Sequence, residues 1–201
     1  MPLLAFGFAS FHQSFTSTIS LAEQTFSNVI GEVLRELVRQ GFTKISIFNG
    51  HRDNQSIIDE KIVELNRSSR DVTILNPVYA TLRTTTEFTK KYPDRKLPKT
   101  ISCMEKLVEA TGLLRHADAT ELSLYLALYP EKEKEILQLL KDVPSLPDLH
   151  SILPNNPTDW PNITKPCRGG TGDPRGYRID LAQEVIASMM NEVFELLFSN
   201  S

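Results

Sequence analysis

Phe42-Thr43-Lys44-Ile45-Ser46-Ile47-Phe48 runs directly into Asn49-Gly50-His51-Arg52-Asp53-Asn54, and this stretch decides the fold. The first part is rich in β-branched and aromatic residues and fits a buried strand. The second is a polar turn, with Gly50 to let the backbone bend, and it opens a helix that runs to about Leu65. Val72 to Leu75 then reads as another strand. A strand, a helix and a strand in so short a span are the signature of a parallel sheet with helices on its faces. The sequence therefore predicts an α/β protein, a three-layer α/β/α sandwich with a mainly parallel sheet.

Upstream of this unit, Phe26, Val29, Ile30, Val33, Leu34, Leu37 and Val38 keep helical spacing. Ser20 with Glu23 predicts a capping box at the start of that helix, and Gly41 its end. Leu3 to Ala9 is a short apolar run fit for a buried strand. A polar loop carrying His12 joins the two. Downstream, Tyr79 to Thr100 is polar, charged and interrupted by proline, and reads as an excursion or lid. Helices are predicted around Met104 to Glu109, from Ala119 to Tyr129, from Glu131 to Lys141 and from Arg178 to Phe198. Between the last two, Val143 to Gly176 reads as a long loop that holds Trp160 and the glycines of Gly169-Gly170-Thr171-Gly172. With no repeat and no linker, the 201 residues are expected to form a single domain.

Composition excludes several classes of function. The 25 acidic and 22 basic residues are interspersed, with no basic block for nucleic acid. No window has the length and apolar content of a membrane span, and the N-terminus lacks the pattern of a secretory signal. Cys103 and Cys167 stand far apart and outside metal-type spacing, so they read as reduced thiols and favour the cytoplasm.

In open α/β sheets, ligands bind beyond the carboxyl ends of the strands. Two polar segments qualify. His51 and Asp53 follow the strand from Phe42 to Phe48. His116, Asp118 and Glu121 stand at the start of a helix. Imidazoles and carboxylates together suit zinc, manganese or iron, and a carboxylate not bound to metal can act as general base. The same residues also fit plainer roles, since Asn-Gly-His is an ordinary turn and Asp118 is well placed to cap a helix. Trp160 fits either loop packing or an aromatic wall for a ligand. Gly169-Gly170-Thr171-Gly172-Asp173-Pro174 lacks the Lys-Ser/Thr of a phosphate loop and reads as a turn before a helix.

Four motifs in order resemble the creatininase family. Phe6-Gly7-Phe8-Ala9-Ser10-Phe11-His12 with Phe15-Thr16-Ser17-Thr18-Ile19-Ser20-Leu21 is similar to its Gly-x-Ser-x-x-His-x-x-Phe-Pro-Gly-Thr-Ile-Ser-Leu segment. Phe48-Asn49-Gly50-His51 with Asn54 resembles its Asn-Gly-His-Gly-Gly-Asn strand end. His116-Ala117 with Glu121 and Ser123 resembles its His-Ala-Gly-x-x-Glu-Thr-Ser, and Gly172-Asp173-Pro174 its Gly-Asp-Pro.

The resemblance implies a metal-dependent amidohydrolase that cleaves a C–N bond of a small amide, lactam or formamide, and a homo-oligomer. It implies His51 and Glu121 as metal ligands, with Asp53 at a place where some members carry a ligand glutamate. His116 would assist proton transfer, with Asp118 beside it as a second catalytic candidate. His12, Arg52 and Trp160 are the candidates for contacting substrate. Members also draw a glutamate, a histidine and a bridging aspartate from a strand that precedes the point where this sequence opens. That departure keeps a second expectation open, a metal-poor relative that binds a ligand or assembles without hydrolysing.

Overall fold

A computed structural model describes residues 3–68, 73–75, 97–112, 117–143, 170 and 172–198. The chain divides into two compact units, one formed by Met1–Lys96 with Val193–Ser201 and the other by Leu97–Glu192.

In the first unit, helix α1 (Glu23–Arg39) buries Phe26, Ile30, Gly31 and Leu34 along one face, as the helical spacing predicts. It stops at Gly41, whose φ of 93° is costly for any residue with a Cβ. That turn lets Phe42 N–H donate to Leu37 O at 3.1 Å and Gly41 N–H to Val38 O at 2.9 Å, the paired bonds of a Schellman cap. Strand β1 (Lys44–Ser46), helix α2 (Gln55–Ser68) and strand β2 (Thr73–Leu75) follow. β1 and β2 pair in parallel with Ile45 opposite Ile74, so the predicted β-α-β unit is present. Ile45, Ile57, Ile58, Ile62, Leu65 and Ile74 join the buried face of α1 in one apolar core.

Two expectations fail in this unit. Leu3 to Ala9 is not a buried strand: it forms a single parallel bridge, Gly7 to Ser20, and Leu3 is 90% exposed. The predicted capping box is absent too. The helix begins at Glu23 with Ala22 as its N-cap and no side-chain cap. Ser20 lies too far upstream to reach the first turn. Its hydroxyl accepts from Ala9 N–H at 2.9 Å and donates to Leu21 O at 3.1 Å, so it stitches the N-terminal segment down.

The second unit is helical: α3 (Pro98–Thr111), α4 (Ala119–Leu128), α5 (Glu133–Leu140) and the part of α6 (Ile179–Phe198) that precedes Val193. The proposed excursion over Tyr79 to Thr100 is overturned at its end, where Pro98 to Thr100 form the first turn of α3; residues 79–96 lie outside the described residues, as does most of the loop from Val143 to Gly176. Pro98 suits a first turn because it lacks an N–H that would need a partner there. Leu97, the N-cap of α3, offers no side-chain acceptor. The buried carboxylate of Glu192 supplies one from α6, accepting from Lys99 N–H at 2.9 Å, Thr100 N–H at 2.9 Å and Thr100 Oγ1 at 2.6 Å.

Candidate metal centre

His51 sits just past β1 in a turn wired by Asn49, which is 3% exposed. Asn49 Oδ1 accepts from His51 N–H at 3.1 Å, and Asn49 Nδ2 donates to His51 O at 2.9 Å and to Gln55 Oε1 at 3.1 Å. Such an amide bonded to the backbone two residues on is the usual device of an Asx turn. A short 3-10 turn, Arg52–Asn54, then carries Asp53 before α2 begins. His12 closes a second 3-10 turn, Ser10–His12, in the N-terminal segment.

These turns bring His12, His51 and Asp53 together. Their ligand-type atoms all lie within 4.8 Å of one another. The two imidazoles meet edge to face with centroids 5.7 Å apart and planes at 63°. His51 Nε2 lies 3.5 Å from Asp53 Oδ2. That separation is long for a good N–H···O bond, and His51 Nε2 is buried with no hydrogen-bond partner among the described residues. Two ligands at about 2.0 to 2.1 Å from one tetrahedral ion stand roughly 3.3 Å apart, so the spacing suits atoms that share a cation. A groove of about 940 Å³, with apolar walls from Leu3, Phe6, Val33 and Phe42, is also lined by His51 and Asn54.

The second polar cluster belongs to the other unit. Asp118 is the N-cap of α4, with its Oδ1 accepting from Glu121 N–H at 2.9 Å. Glu121 Oε2 in turn accepts from Ala117 N–H at 2.7 Å. Ala117 has a φ of 54°, a left-handed conformation that costs a non-glycine residue about 1 kcal/mol, and the glutamate holds it there. Burial pushes the Glu121 carboxyl above the ordinary glutamate range; the Ala117 N–H opposes this and the Asp118 charge adds to it. Ala119 N–H donates to Asp173 O at 2.9 Å, so the Gly-Asp-Pro turn packs on the start of α4. Ser123 Oγ donates to Ala119 O at 2.5 Å and accepts from Arg178 N–H at 2.8 Å. A cleft of about 470 Å³ opens here between Asp118, Glu121, Tyr125 and Pro174.

The structure thus joins His51 and Asp53, as the sequence suggests, and adds His12, which the sequence offered only as a substrate contact. The signal was the histidine's fixed place five residues after Gly7, at the end of a segment that returns to the strand end. Asp118 and Glu121 are joined to one another, in a capping arrangement that the sequence also allowed. His116 and Trp160 lie outside the described residues, and of Arg52 only the backbone, in its 3-10 turn, is described.

A family model described as creatinine amidohydrolase matches residues 1–197. The chain belongs to the creatininase family. A creatinine amidohydrolase of Pseudomonas putida is 29% identical over 139 residues, which are 65% of this chain and 50% of that protein. The chain spans about half the length of this curated creatininase. Among solved structures, a creatinine amidohydrolase (creatininase) superposes with a TM-score of 0.60 at 24% identity, covering 100% of this chain and 75% of its own. A mutant creatininase complexed with creatine gives 0.60 at 23%, covering 96% and 74%. A mutant of the Zn-Zn type gives 0.58 at 22%, covering 96% and 73%. These likenesses show the creatininase α/β fold. Among the described residues no helix is long and apolar enough to cross a membrane.

Proposed function

We propose that the protein is a metal-dependent amidohydrolase that cleaves a C–N bond of a small amide, lactam or formamide. The observation that carries this reading is the convergence of two imidazoles and a carboxylate, His12, His51 and Asp53, at the end of a strand in a creatininase-family chain. Three protein ligands are the number a catalytic zinc site uses, which leaves a position for water or substrate. A divalent cation there, with zinc, manganese or iron all compatible with the donors, supplies Lewis acidity that polarises an amide carbonyl and makes water acidic. The relatives that carry zinc or hold creatine support this chemistry.

The chain's own residues have separate tasks in this account. The Asn49 turn fixes the orientation of His51, and the groove beside it admits a ligand with an apolar face. By the family resemblance His116 and Asp118 would serve proton transfer, and Arg52 and Trp160 would contact substrate. The same proposal includes a full three-layer sandwich around the β-α-β unit, a single domain over residues 1–201, the homo-oligomer that the family resemblance implies, and the cytoplasmic location that the two separated cysteines favour.

Elemental analysis of the purified protein, with hydrolysis of creatinine, formamide and simple lactams followed in the presence of zinc or manganese, tests the reading. We expect close to one metal per chain, turnover of one substrate class, and loss of both in His51→Ala. A protein that stays metal-free and inert with every ion and substrate overturns it.

A further inference from the structure

We infer that Asn54 and Gly7 form a strut that sets the distance between His12 and His51, which makes them positioning residues for the metal centre. The inference rests on the metal reading above. His12 and His51 come from segments far apart in the chain, so their approach depends on what ties those segments together. Asn54 does so through both ends of its amide. Its Oδ1 accepts from Phe8 N–H at 2.9 Å across 46 residues of sequence. Its Nδ2 donates to Asn49 Oδ1 at 3.3 Å, the same oxygen that accepts from His51 N–H at 3.1 Å. The Asn54 backbone N–H completes the loop by donating to His51 O at 3.2 Å. A continuous hydrogen-bonded path therefore runs from the backbone at Phe8 to the backbone of His51.

Gly7 makes this path possible. A Cβ at that position would lie 2.7 Å from Asn54 Oδ1 and 2.8 Å from Asn54 Nδ2, closer than real side chains approach. Gly7 also accepts from Leu21 N–H at 2.9 Å through its carbonyl, and His12 N–H donates to Ala9 O at 3.0 Å. The segment that ends in His12 is thereby folded on itself, and a shift at Gly7 is passed to the imidazole. Groups one step behind the ligands orient them, and removing such a group typically costs 10- to 100-fold in metal affinity.

Cobalt binding to the metal-free chain, read by competition with a chromophoric chelator and by the cobalt visible bands, tests the inference without any assay of activity. Asn54→Ala is expected to weaken cobalt binding by about 10- to 100-fold and to shift the bands toward those of His12→Ala. Gly7→Ala is expected to act in the same direction, because it pushes on the same amide. In the double variant the alanine at position 7 no longer meets the amide at 54, so Gly7→Ala adds nothing beyond Asn54→Ala. A parent that takes up no cobalt overturns the metal reading and the strut with it. A parent that binds cobalt, beside folded Asn54→Ala and Gly7→Ala variants with its affinity and spectrum, overturns the strut alone.

Discussion

Replacing Glu192 by alanine should cost the protein about 3 to 5 kcal/mol, a large share of the roughly 5 to 15 kcal/mol that holds a typical domain folded. The carboxylate is 6% exposed and accepts from Lys99 N–H, Thr100 N–H and the Thr100 hydroxyl, the last at 2.6 Å. Charge-assisted bonds contribute about 1.5 to 3 kcal/mol each, and a buried donor left without a partner costs about 1 to 3 kcal/mol. These terms do not add in full, because the chain relaxes and water reaches part of the gap. Glu192→Ala leaves Lys99 N–H and Thr100 N–H without a side-chain acceptor, since Leu97 offers none. Glu192→Gln retains one carbonyl oxygen but turns an NH₂ group toward N–H donors, and should cost about half as much. Urea unfolding at neutral pH measures both. A Glu192→Ala unfolding free energy within about 0.5 kcal/mol of the parent's would refute the reasoning, because an exposed and unimportant carboxylate behaves that way.

Asp118→Ala removes the N-cap bond to Glu121 N–H and should lower stability by about 1 kcal/mol, which thermal melting of the metal-free protein will show. Glu121 carries a pH signature. Its folded carboxyl titrates above its ordinary value of 4.5, mainly through burial, so the stability it contributes is full below that value and is lost as pH rises through the raised one. In metal-free protein, Glu121→Gln should therefore gain on the parent in urea midpoints as pH rises above about 4.5, and a difference that stays constant with pH contradicts this.

The β-α-β unit was legible because its signals are local. Phe42 to Phe48, the polar turn and the α2 helix each announce themselves by residue type over a few positions, and Gly41 marks the end of α1 by a backbone need that glycine meets. The Ser20 cap was misread because a serine near a helix start has two uses, and its hydroxyl bonds to Ala9, eleven residues away in sequence. The cap of α3 could not have been read at all, since its acceptor lies on α6, 92 and 93 residues from the donors. The site divides in the same way. His51 and Asp53 share one turn and were visible together, whereas His12 comes from a distant segment tied down by bonds such as Phe8 N–H to Asn54 Oδ1, so only its place five residues after Gly7 pointed to it.

The most direct test of the central claim is an anomalous difference map at the zinc edge from crystals of the protein grown or soaked with zinc. The account predicts one strong peak at about 2.0 to 2.2 Å from an imidazole nitrogen of His12, an imidazole nitrogen of His51 and a carboxylate oxygen of Asp53. A peak elsewhere with these three side chains unliganded, or a fully soaked crystal with no peak among them, would contradict it.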